Sequence, residues 1–385
     1  MDISFFLMRP HLIVRDFILD RSLPDIRNLE RIRSPESFIW KILTYAARTF
    51  SACILFLPAR MARSAAVAYL YCRILDTYED LIPDPVQREF VLRSFVDRFH
   101  EIPSGLSIPS APPIDTKFAK NSHEQVYTIL VNRCRLVDTV FVKLDFQIQS
   151  IIVDLIRKMA DGMIWSSKIF TLQNGILFDD RQLSRYCRNV LGFPTLFAVR
   201  LMRLFHPGRA PISYELYEDA MLAGEFIQLA NVTRDIETDL KRGIAYHPAL
   251  KDDIGRSDID DPSLQKRILK VRRALLLKAL SLAPAYIRMA ASMNFPRISL
   301  CRSSMILMLL FTNRYYRECA RRVHLDPWPG PAAKSGFIPS SIISIFSQRW
   351  SNRILNSTEI RFTRFVRDSI SSAALTKNGK TAGNS

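Results

Sequence analysis

The sequence has little of what marks folds built from strands. Only 12 of its 385 residues are glycine, and little of the chain alternates between polar and apolar residues. Long segments instead repeat apolar residues every three or four positions, which is the period of a helix and not of a half-buried strand. We therefore predict an all-α fold, and the 48% hydrophobic content is ample for a sizeable core.

Cysteines are few and scattered. The spacing of the six shows no CxxC pair and no adjacent histidine cluster, so we expect neither a disulfide framework nor a zinc site. The first 34 residues mix both charge signs and lack a signal-peptide core. No apolar run approaches the roughly 20 residues that span a bilayer. These absences favour a cytoplasmic protein with reduced thiols.

Acidic residues are outnumbered, with 37 Asp and Glu against 54 Lys and Arg, and the net charge is +17. Such an excess favours an anionic partner, which is a nucleic acid, a membrane surface or a phosphate-bearing substrate. Zinc-finger spacing, an aromatic RNA-binding signature and a dense basic block are all missing, so we expect no nucleic acid. Charge alone does not choose between the other two partners.

What the chain does contain is a helical segment with one polar stripe. In GEFIQLANVTRDIETDLKRGIAYHP (224–248), polar residues recur at steps of three or four, namely Glu225, Gln228, Asn231, Asp235 and Asp239. On a helix of about 3.6 residues per turn they share one face, and the rest of the segment is largely apolar. This inverts an ordinary surface helix. It predicts a buried helix over about 213–241 whose stripe faces a cavity.

A second segment, from Arg60 to about Asp80, has the same design. Its polar stripe consists of Tyr69, Arg73, Asp76 and Asp80, at offsets of 0, 4, 7 and 11. The two helices can present two aspartate pairs toward one another. Carboxylate oxygens suit Mg²⁺, which a few carboxylates usually hold together with substrate phosphates. Because buried like charges repel strongly without a cation, we interpret the two stripes as a metal site.

The residues also resemble a known family. AYLYCRILDTYED (68–80) is similar to the first aspartate motif of the squalene/phytoene synthase family, and 224–248 is similar to its second. Further segments match less strongly: ARTFSACILFLPARMA (47–62), MADGM (159–163), YCRNVLG (186–192) and LCRSSMILMLLFTNR (300–314). The resemblance covers roughly residues 35–320.

The resemblance implies a class I isoprenoid synthase fold, a single helical bundle around a central cavity, that joins two isoprenoid diphosphates head to head. By motif position it implies roles for thirteen residues. The metal ligands would be Asp76, Asp80, Asp235 and Asp239; the catalytic residues Tyr69, Arg73, Tyr186 and Arg234; and the substrate-binding residues Arg48, Thr49, Phe50, Gln228 and Asn231. Mg²⁺ is implied as a cofactor, and NADPH stays open because the family binds it without a Rossmann motif.

Three positions depart from the family pattern. Ala47 stands where the family usually has serine, which leaves Arg48 and Thr49 as the substrate-binding residues of this segment. Thr238 replaces an acidic residue that is common before the last aspartate. VLGFP (190–194) differs from the usual run of small residues, and its proline predicts a helix break at 192–194. These departures bear on cavity shape and product more than on ionisation.

We divide the chain into an N-terminal extension (1–34), a catalytic domain (35–325) and a basic C-terminal tail (326–385). The tail is partly helical, with a disordered end. Its apolar residues keep helical spacing beside arginines, which fits either peripheral membrane association or packing on the body of the protein; they are Ile342, Ile345, Phe346, Trp350, Ile354 and Leu355.

Because DTYED is closer to the squalene synthase form of the motif, farnesyl diphosphate is the favoured substrate. Presqualene diphosphate and squalene are then the expected products. Two alternatives stay open. One is phytoene synthesis from geranylgeranyl diphosphate, and the other is a non-catalytic relative that acts in assembly or lipid binding.

Overall fold

The computed structural model describes residues 24–47, 49–99, 108–205, 211–323, 337–358 and 364. The regular secondary structure of these residues is helical, apart from an isolated parallel bridge between Ile176 and Ala245. The all-α prediction is therefore confirmed. The contacts divide the chain into two compact units: unit 1 is Met1–Leu172 with Phe193–Ile212, and unit 2 is Gln173–Gly192 with Ser213–Ser385.

The helices follow one another closely along the chain. Unit 1 begins with α1 (Ile26–Arg31), α2 (Pro35–Ala47), α3 (Thr49–Leu55), α4 (Ala59–Leu81), α5 (Pro85–Asp97), α6 (Ser122–Asn132), α7 (Cys134–Phe141) and α8 (Phe146–Leu172). The chain then forms α9 (Asp180–Cys187) and a π turn (Arg188–Gly192) in unit 2, and α10 (Phe193–Leu204) in unit 1. Unit 2 continues with α11 (Tyr214–Arg234), α12 (Ile236–Lys241), α13 (Pro262–Ser292), α14 (Leu300–Arg322), α15 (Phe337–Phe346) and α16 (348–358).

Helix α4 lies at the centre of unit 1, where it packs against α2, α5, α6 and α8. Its buried tyrosines join a cluster of edge-to-face rings, in which Tyr71 contacts Phe95 and Phe141 at centroid distances of 5.9 and 5.6 Å. The Tyr71 hydroxyl donates to Asp138, which also pairs with the buried Arg98 at 2.8 Å. Because the polar groups in this core are paired, α4 is buried on nearly every face except its polar stripe.

Helix α11 has the same place in unit 2, between α13, α14 and the π turn. The Tyr316 hydroxyl of α14 donates to the Phe226 carbonyl, and the two rings lie 5.0 Å apart. The predicted helix over 213–241 is interrupted at Asp235, where φ is −98° and ψ is 12°. Because the Asp235 N–H still donates to the Asn231 carbonyl at 2.9 Å, the interruption is a local kink between α11 and α12.

The predicted break at 192–194 is wrong, because the chain remains helical from Asp180 to Leu204. Pro194 is the second residue of α10 and lies two residues after the π turn, inside a helical segment that continues without a gap. The residue inserted by the π turn lies just before it, which is how such turns adjust the direction of a helix. Proline therefore falls at a position that tolerates it.

One further expectation needs correction. Within the described residues, α13 is long and apolar enough to cross a membrane, with a mean hydropathy of 1.3 over its best window. Yet 44% of that window is buried, and α13 packs on α11 and α14. Its charged residues Lys278 and Arg288 pair with Glu225 and Asp219 of unit 2. Length and composition alone therefore do not separate this core helix from a span.

Parts of the predicted N-terminal extension and of the predicted C-terminal tail lie outside the described residues. Residues 1–23 of the predicted extension and 365–385 of the tail lie outside the described residues, so the disordered end stays a prediction. Helix α1 lies inside the predicted extension. The six cysteines are free and buried, as their scattered spacing predicted.

Candidate active site

The first aspartate motif lies on α4, and its polar stripe is the partly open face of that helix. Tyr69, Arg73 and Asp76 are half-buried and Asp80 is exposed, while the neighbouring residues of the helix are largely buried. A spacing of three or four residues brings side chains onto one helix face. The structure therefore brings together the four residues of α4 that the sequence singled out.

Arg73 connects this stripe. Its Nη1 lies 3.1 Å from Asp76 Oδ2, and its Nη2 donates to the Tyr69 hydroxyl at 2.9 Å. The Tyr69 hydroxyl in turn donates to the Ala46 carbonyl at 3.0 Å, and the Tyr69 ring lies 5.7 Å from that of Phe50. Three of the predicted residues thus form one connected group with Asp76. Arg48 and the side chain of Thr49 lie outside the described residues.

The surroundings of Asp76 and Glu79 favour the uncharged form of both carboxyl groups. Burial raises the pKa of Asp76 to about 6, against the opposing effect of Arg73. Burial also raises the pKa of Glu79 to about 8, and repulsion from Asp80 and Asp76 adds to it, while Glu79 accepts from Ser166 at 3.0 Å. A bound cation would relieve this repulsion. Sequence reasoning missed Glu79 because it lies off the stripe, although it belongs to DTYED.

The second aspartate motif lies across α11 and α12. Gln228 and Asn231 are joined by a hydrogen bond of 3.1 Å, in which Asn231 Nδ2 donates. Arg234 donates to both carboxylate oxygens of Asp235, at 2.7 and 2.5 Å. Burial opposes the charge of Arg234, but this two-bond contact with Asp235 raises the pKa of Arg234 above its usual value. Asp239 follows on α12, half-buried.

Glu225 departs from the predicted stripe. Its carboxylate is 2% exposed and accepts from Ser184 Oγ at 2.6 Å and from Arg188 Nε at 3.0 Å, and Lys278 Nζ lies 3.9 Å away. Its three partners belong to α9, the π turn and α13. Because a buried carboxylate is stable only when it is paired, Glu225 ties these elements to α11.

Tyr186 has a partner that the sequence did not reveal. Its hydroxyl lies 3.2 Å from that of Tyr246, and the ring centroids are 5.1 Å apart. Tyr246 follows the backbone bridge at Ala245, whose N–H donates to the Gly175 carbonyl at 2.8 Å. An added Cβ at Gly175 would lie 2.0 Å from the Gly243 carbonyl oxygen. This close approach, which requires glycine, places Tyr246 beside Tyr186.

The carboxylates of the two motifs are the type of ligand that Mg²⁺ prefers. Among the described residues, no three Asp, Glu, His or Cys side chains lie close enough to hold a metal ion by themselves. Mg²⁺ does not need such a cluster, since one or two carboxylates, water and substrate phosphates usually hold it. Asp76 and Asp80 in unit 1, and Asp235 and Asp239 in unit 2, offer carboxylates in that number.

Comparison with known proteins identifies the family of this chain. A family model described as squalene/phytoene synthase matches residues 43–328, which is most of the chain. The chain belongs to the squalene/phytoene synthase family. This is a family of prenyltransferases, so the predicted family and enzyme class are confirmed. Head-to-head joining of prenyl groups is the reaction type of the family.

Two of the matching relatives illustrate the similarity. The squalene synthase of Bos taurus is 29% identical over 217 residues, which are 54% of this chain and 45% of that protein. The lycopaoctaene synthase of Botryococcus braunii is 26% identical over 242 residues, which are 61% of this chain and 49% of that protein. The matched segment thus spans less than half the length of these relatives.

Solved structures agree with the fold. A complex of TcSQS with the ligand E5700 has a TM-score of 0.63 and 17% identity, and the match covers 87% of this chain and 97% of that chain. At this identity the likeness shows the fold alone. The predicted isoprenoid synthase helical fold is therefore confirmed, and the residue roles stay predictions.

Proposed function

We propose that this chain condenses two farnesyl diphosphates head to head, with Mg²⁺, to presqualene diphosphate and then squalene. The observation that carries the proposal is the pairing of a motif arginine with a motif aspartate in each unit, Arg73 with Asp76 and Arg234 with Asp235. Both pairs lie on helices that are otherwise largely buried. The relatives named squalene synthase support the same substrate.

The proposed reaction requires stabilisation of a leaving anion and of a carbocation. Loss of diphosphate from an allylic carbon leaves a carbocation and a highly charged anion. Magnesium held by the aspartates supplies neutralising charge to that anion. Arg73 and Arg234 carry several N–H donors, which bind diphosphate oxygens as charge-assisted hydrogen bonds.

The carbocation needs aromatic and dry surroundings. Burial raises the pKa of Tyr69, so its ring stays neutral, and together with Phe50 it offers ring faces that attract a cation. Apolar residues around each stripe exclude water, which would otherwise capture the cation. Tyr186, held by Tyr246, supplies a hydroxyl to the same chemistry in unit 2.

The decisive experiment is incubation of purified protein with Mg²⁺ and labelled farnesyl or geranylgeranyl diphosphate, each with and without NADPH. We expect pyrophosphate release from farnesyl diphosphate, with presqualene diphosphate accumulating when NADPH is withheld and squalene forming when it is present. Reduction to squalene would need a hydride, which the NADPH added in the assay would supply. No pyrophosphate release from either substrate would reject the enzymatic function.

Two alternatives are separated by the same experiment. Turnover of geranylgeranyl diphosphate in preference to farnesyl diphosphate would indicate phytoene-type synthesis. Absence of turnover together with binding of isoprenoid lipid would indicate a non-catalytic role. The four intact motif aspartates favour catalysis, since a non-catalytic relative has no need of them.

We also propose that the protein associates peripherally with an anionic membrane surface through α15. This helix turns two serines inward and three apolar residues outward: Ser341 and Ser344 are fully buried, whereas Ile342, Ile343 and Phe346 are 43–62% exposed. Arg302 fixes this orientation by donating to the Ser344 and Ile345 carbonyls at 2.7 and 2.8 Å. An exposed apolar helix face is typical of interfacial helices.

The charge around this face supports an anionic surface. Residues 293–317 and 337–358 contain no Asp or Glu. Two copies of the face would bring arginines against arginines, which disfavours a symmetric dimer. Ile342→Ser with Phe346→Ser should reduce sedimentation with phosphatidylserine vesicles, while Val86→Ser with Phe90→Ser, exposed elsewhere, should not. Equal binding of all variants, or of neutral vesicles, would contradict the proposal.

A further inference from the structure

Both motif arginines lie against a tyrosine ring from a neighbouring helix. In unit 1, the guanidinium carbon of Arg73 on α4 is 5.1 Å from the ring centre of Tyr127 on α6. In unit 2, the guanidinium carbon of Arg234 on α11 is 4.5 Å from the ring centre of Tyr315 on α14. The two tyrosines belong to helical segments outside both aspartate motifs. The same arrangement thus occurs independently in each unit.

Each arginine also depends on a carboxylate that the proposed function assigns to a metal. Arg73 is 3.1 Å from Asp76 Oδ2, and Arg234 is 2.5 Å from Asp235 Oδ2. When a cation takes up the carboxylate oxygens, these ion pairs weaken because the same lone pairs are shared. A guanidinium released in this way would gain freedom just when the diphosphate must be bound.

A ring contact does not compete with the metal. A guanidinium that stacks on an aromatic face keeps its N–H donors in its own plane, where they remain free to bind carboxylate or phosphate. The attraction comes from the ring quadrupole and grows where water is excluded. Arg73 is 23% exposed and Arg234 is 28% exposed, so both contacts are largely shielded.

We propose that Tyr127 and Tyr315 are positioning residues, which hold Arg73 and Arg234 in place for the diphosphate while their aspartates bind the cation. The inference rests on the proposed function, because it assigns the aspartates to a metal. It adds one residue to each motif from a separate helix. Sequence spacing could not identify either tyrosine, since neither belongs to an aspartate motif.

A simpler account is that both tyrosines only fill space. Leucine and phenylalanine distinguish the two accounts, because leucine keeps an apolar side chain without a ring face and phenylalanine keeps the ring without the hydroxyl. Space filling predicts a loss of stability with leucine and no change in ligand binding by the folded protein. Positioning predicts a selective loss of diphosphate binding.

The test uses the full chain and inorganic pyrophosphate with Mg²⁺ as the probe. Titration calorimetry gives the pyrophosphate Kd for Tyr127→Leu, Tyr127→Phe, Tyr315→Leu and Tyr315→Phe, and steady-state assays give KM and kcat. We expect each leucine variant to raise Kd and KM by about 2- to 30-fold, the range that one cation–π contact supports. Each phenylalanine variant should stay near the wild-type value. Tyr217→Leu on α11 is the control, and it should change neither constant.

The outcomes separate the two proposals. Wild-type Kd and KM in both leucine variants would overturn the positioning roles while leaving the proposed function intact. Equal losses with phenylalanine and leucine would also overturn them, because the hydroxyl and not the ring would then matter. If the wild-type protein itself neither binds magnesium pyrophosphate nor releases it, the proposed function fails first. Should a leucine variant not fold, the methionine variant serves, since methionine adapts to irregular gaps without an aromatic face.

Discussion

A close backbone contact at Gly224 in the second motif yields a specific prediction for Gly224→Ala. In unit 2, a Cβ added to Gly224 would lie 2.2 Å from the Leu191 carbonyl oxygen and 2.5 Å from Gly192 Cα. Both atoms belong to the backbone of the π turn, so no side-chain rotation can make room. The turn, or α11 itself, must move.

The magnitude follows from two opposing effects. Alanine is favoured over glycine inside a helix by about 1 kcal/mol. Overpacking costs about 1–3 kcal/mol and sometimes more, and a clash with two backbone atoms belongs at the upper end of that range. We therefore expect Gly224→Ala to lower the free energy of unfolding by about 2 kcal/mol.

Urea unfolding followed by circular dichroism measures this loss as a lower midpoint with an unchanged slope. Gly255→Ala is the matched control, because a Cβ there meets nothing within 4 Å and only its φ of +77° opposes substitution. That backbone strain costs about 1–2 kcal/mol, so the control loses a similar stability without displacing the π turn and should keep the wild-type kcat. Gly224→Ala should also lower kcat, because the π turn begins two residues after Tyr186. A variant as stable as the wild type, with full activity, would refute the reasoning.

Three further predictions concern charge. Asp76→Asn and Asp235→Asn should each abolish pyrophosphate release while circular dichroism stays unchanged, and near-wild-type turnover would count against the proposed metal site. Because the folded-state pKa values of Asp76 and Glu79 are raised to about 6 and about 8, the stability they contribute is complete below pH 4 and lost as pH rises through 6–8. The rise in Tm on adding magnesium pyrophosphate should therefore be larger at pH 8.5 than at pH 5.5; an equal rise would contradict this. Asp138→Ala should cost about 3–5 kcal/mol of unfolding free energy by leaving Arg98 buried and unpaired, and a loss below 1 kcal/mol in urea unfolding would show that the pair is dispensable.

Much of the fold was predictable because helical periodicity is a local property. The apolar repeat located α4 and the segment of α11 and α12 within a few residues, since burial and the helix period act on neighbouring positions. The kink at Asp235 was missed because no helix-breaking residue marks it in the sequence. The predicted break at Pro194 failed for the opposite reason, since a π turn just before the proline adjusts the helix locally and lets it continue.

The candidate site was likewise predictable in one part and not in another. The stripe of α4 was correct because its four residues lie on one helix and their geometry follows from spacing. Glu225 was assigned to the second stripe by the same rule, yet it pairs with Ser184 and Arg188, which lie about 40 residues away in sequence. A period shows which face a residue occupies and not which partner meets it.

The sequence by itself determined the all-α class, the two aspartate motifs and the family, because each is encoded in contiguous residues with helical spacing. Tertiary structure alone decided which rings face the motif arginines, that Glu79 is half-buried beside Ser166, and that α15 turns Ser341 and Ser344 inward. These depend on contacts between helices far apart in the chain, which packing selects and local pattern does not record. The same reason makes Tyr127 and Tyr315 invisible in the sequence and prominent in the fold.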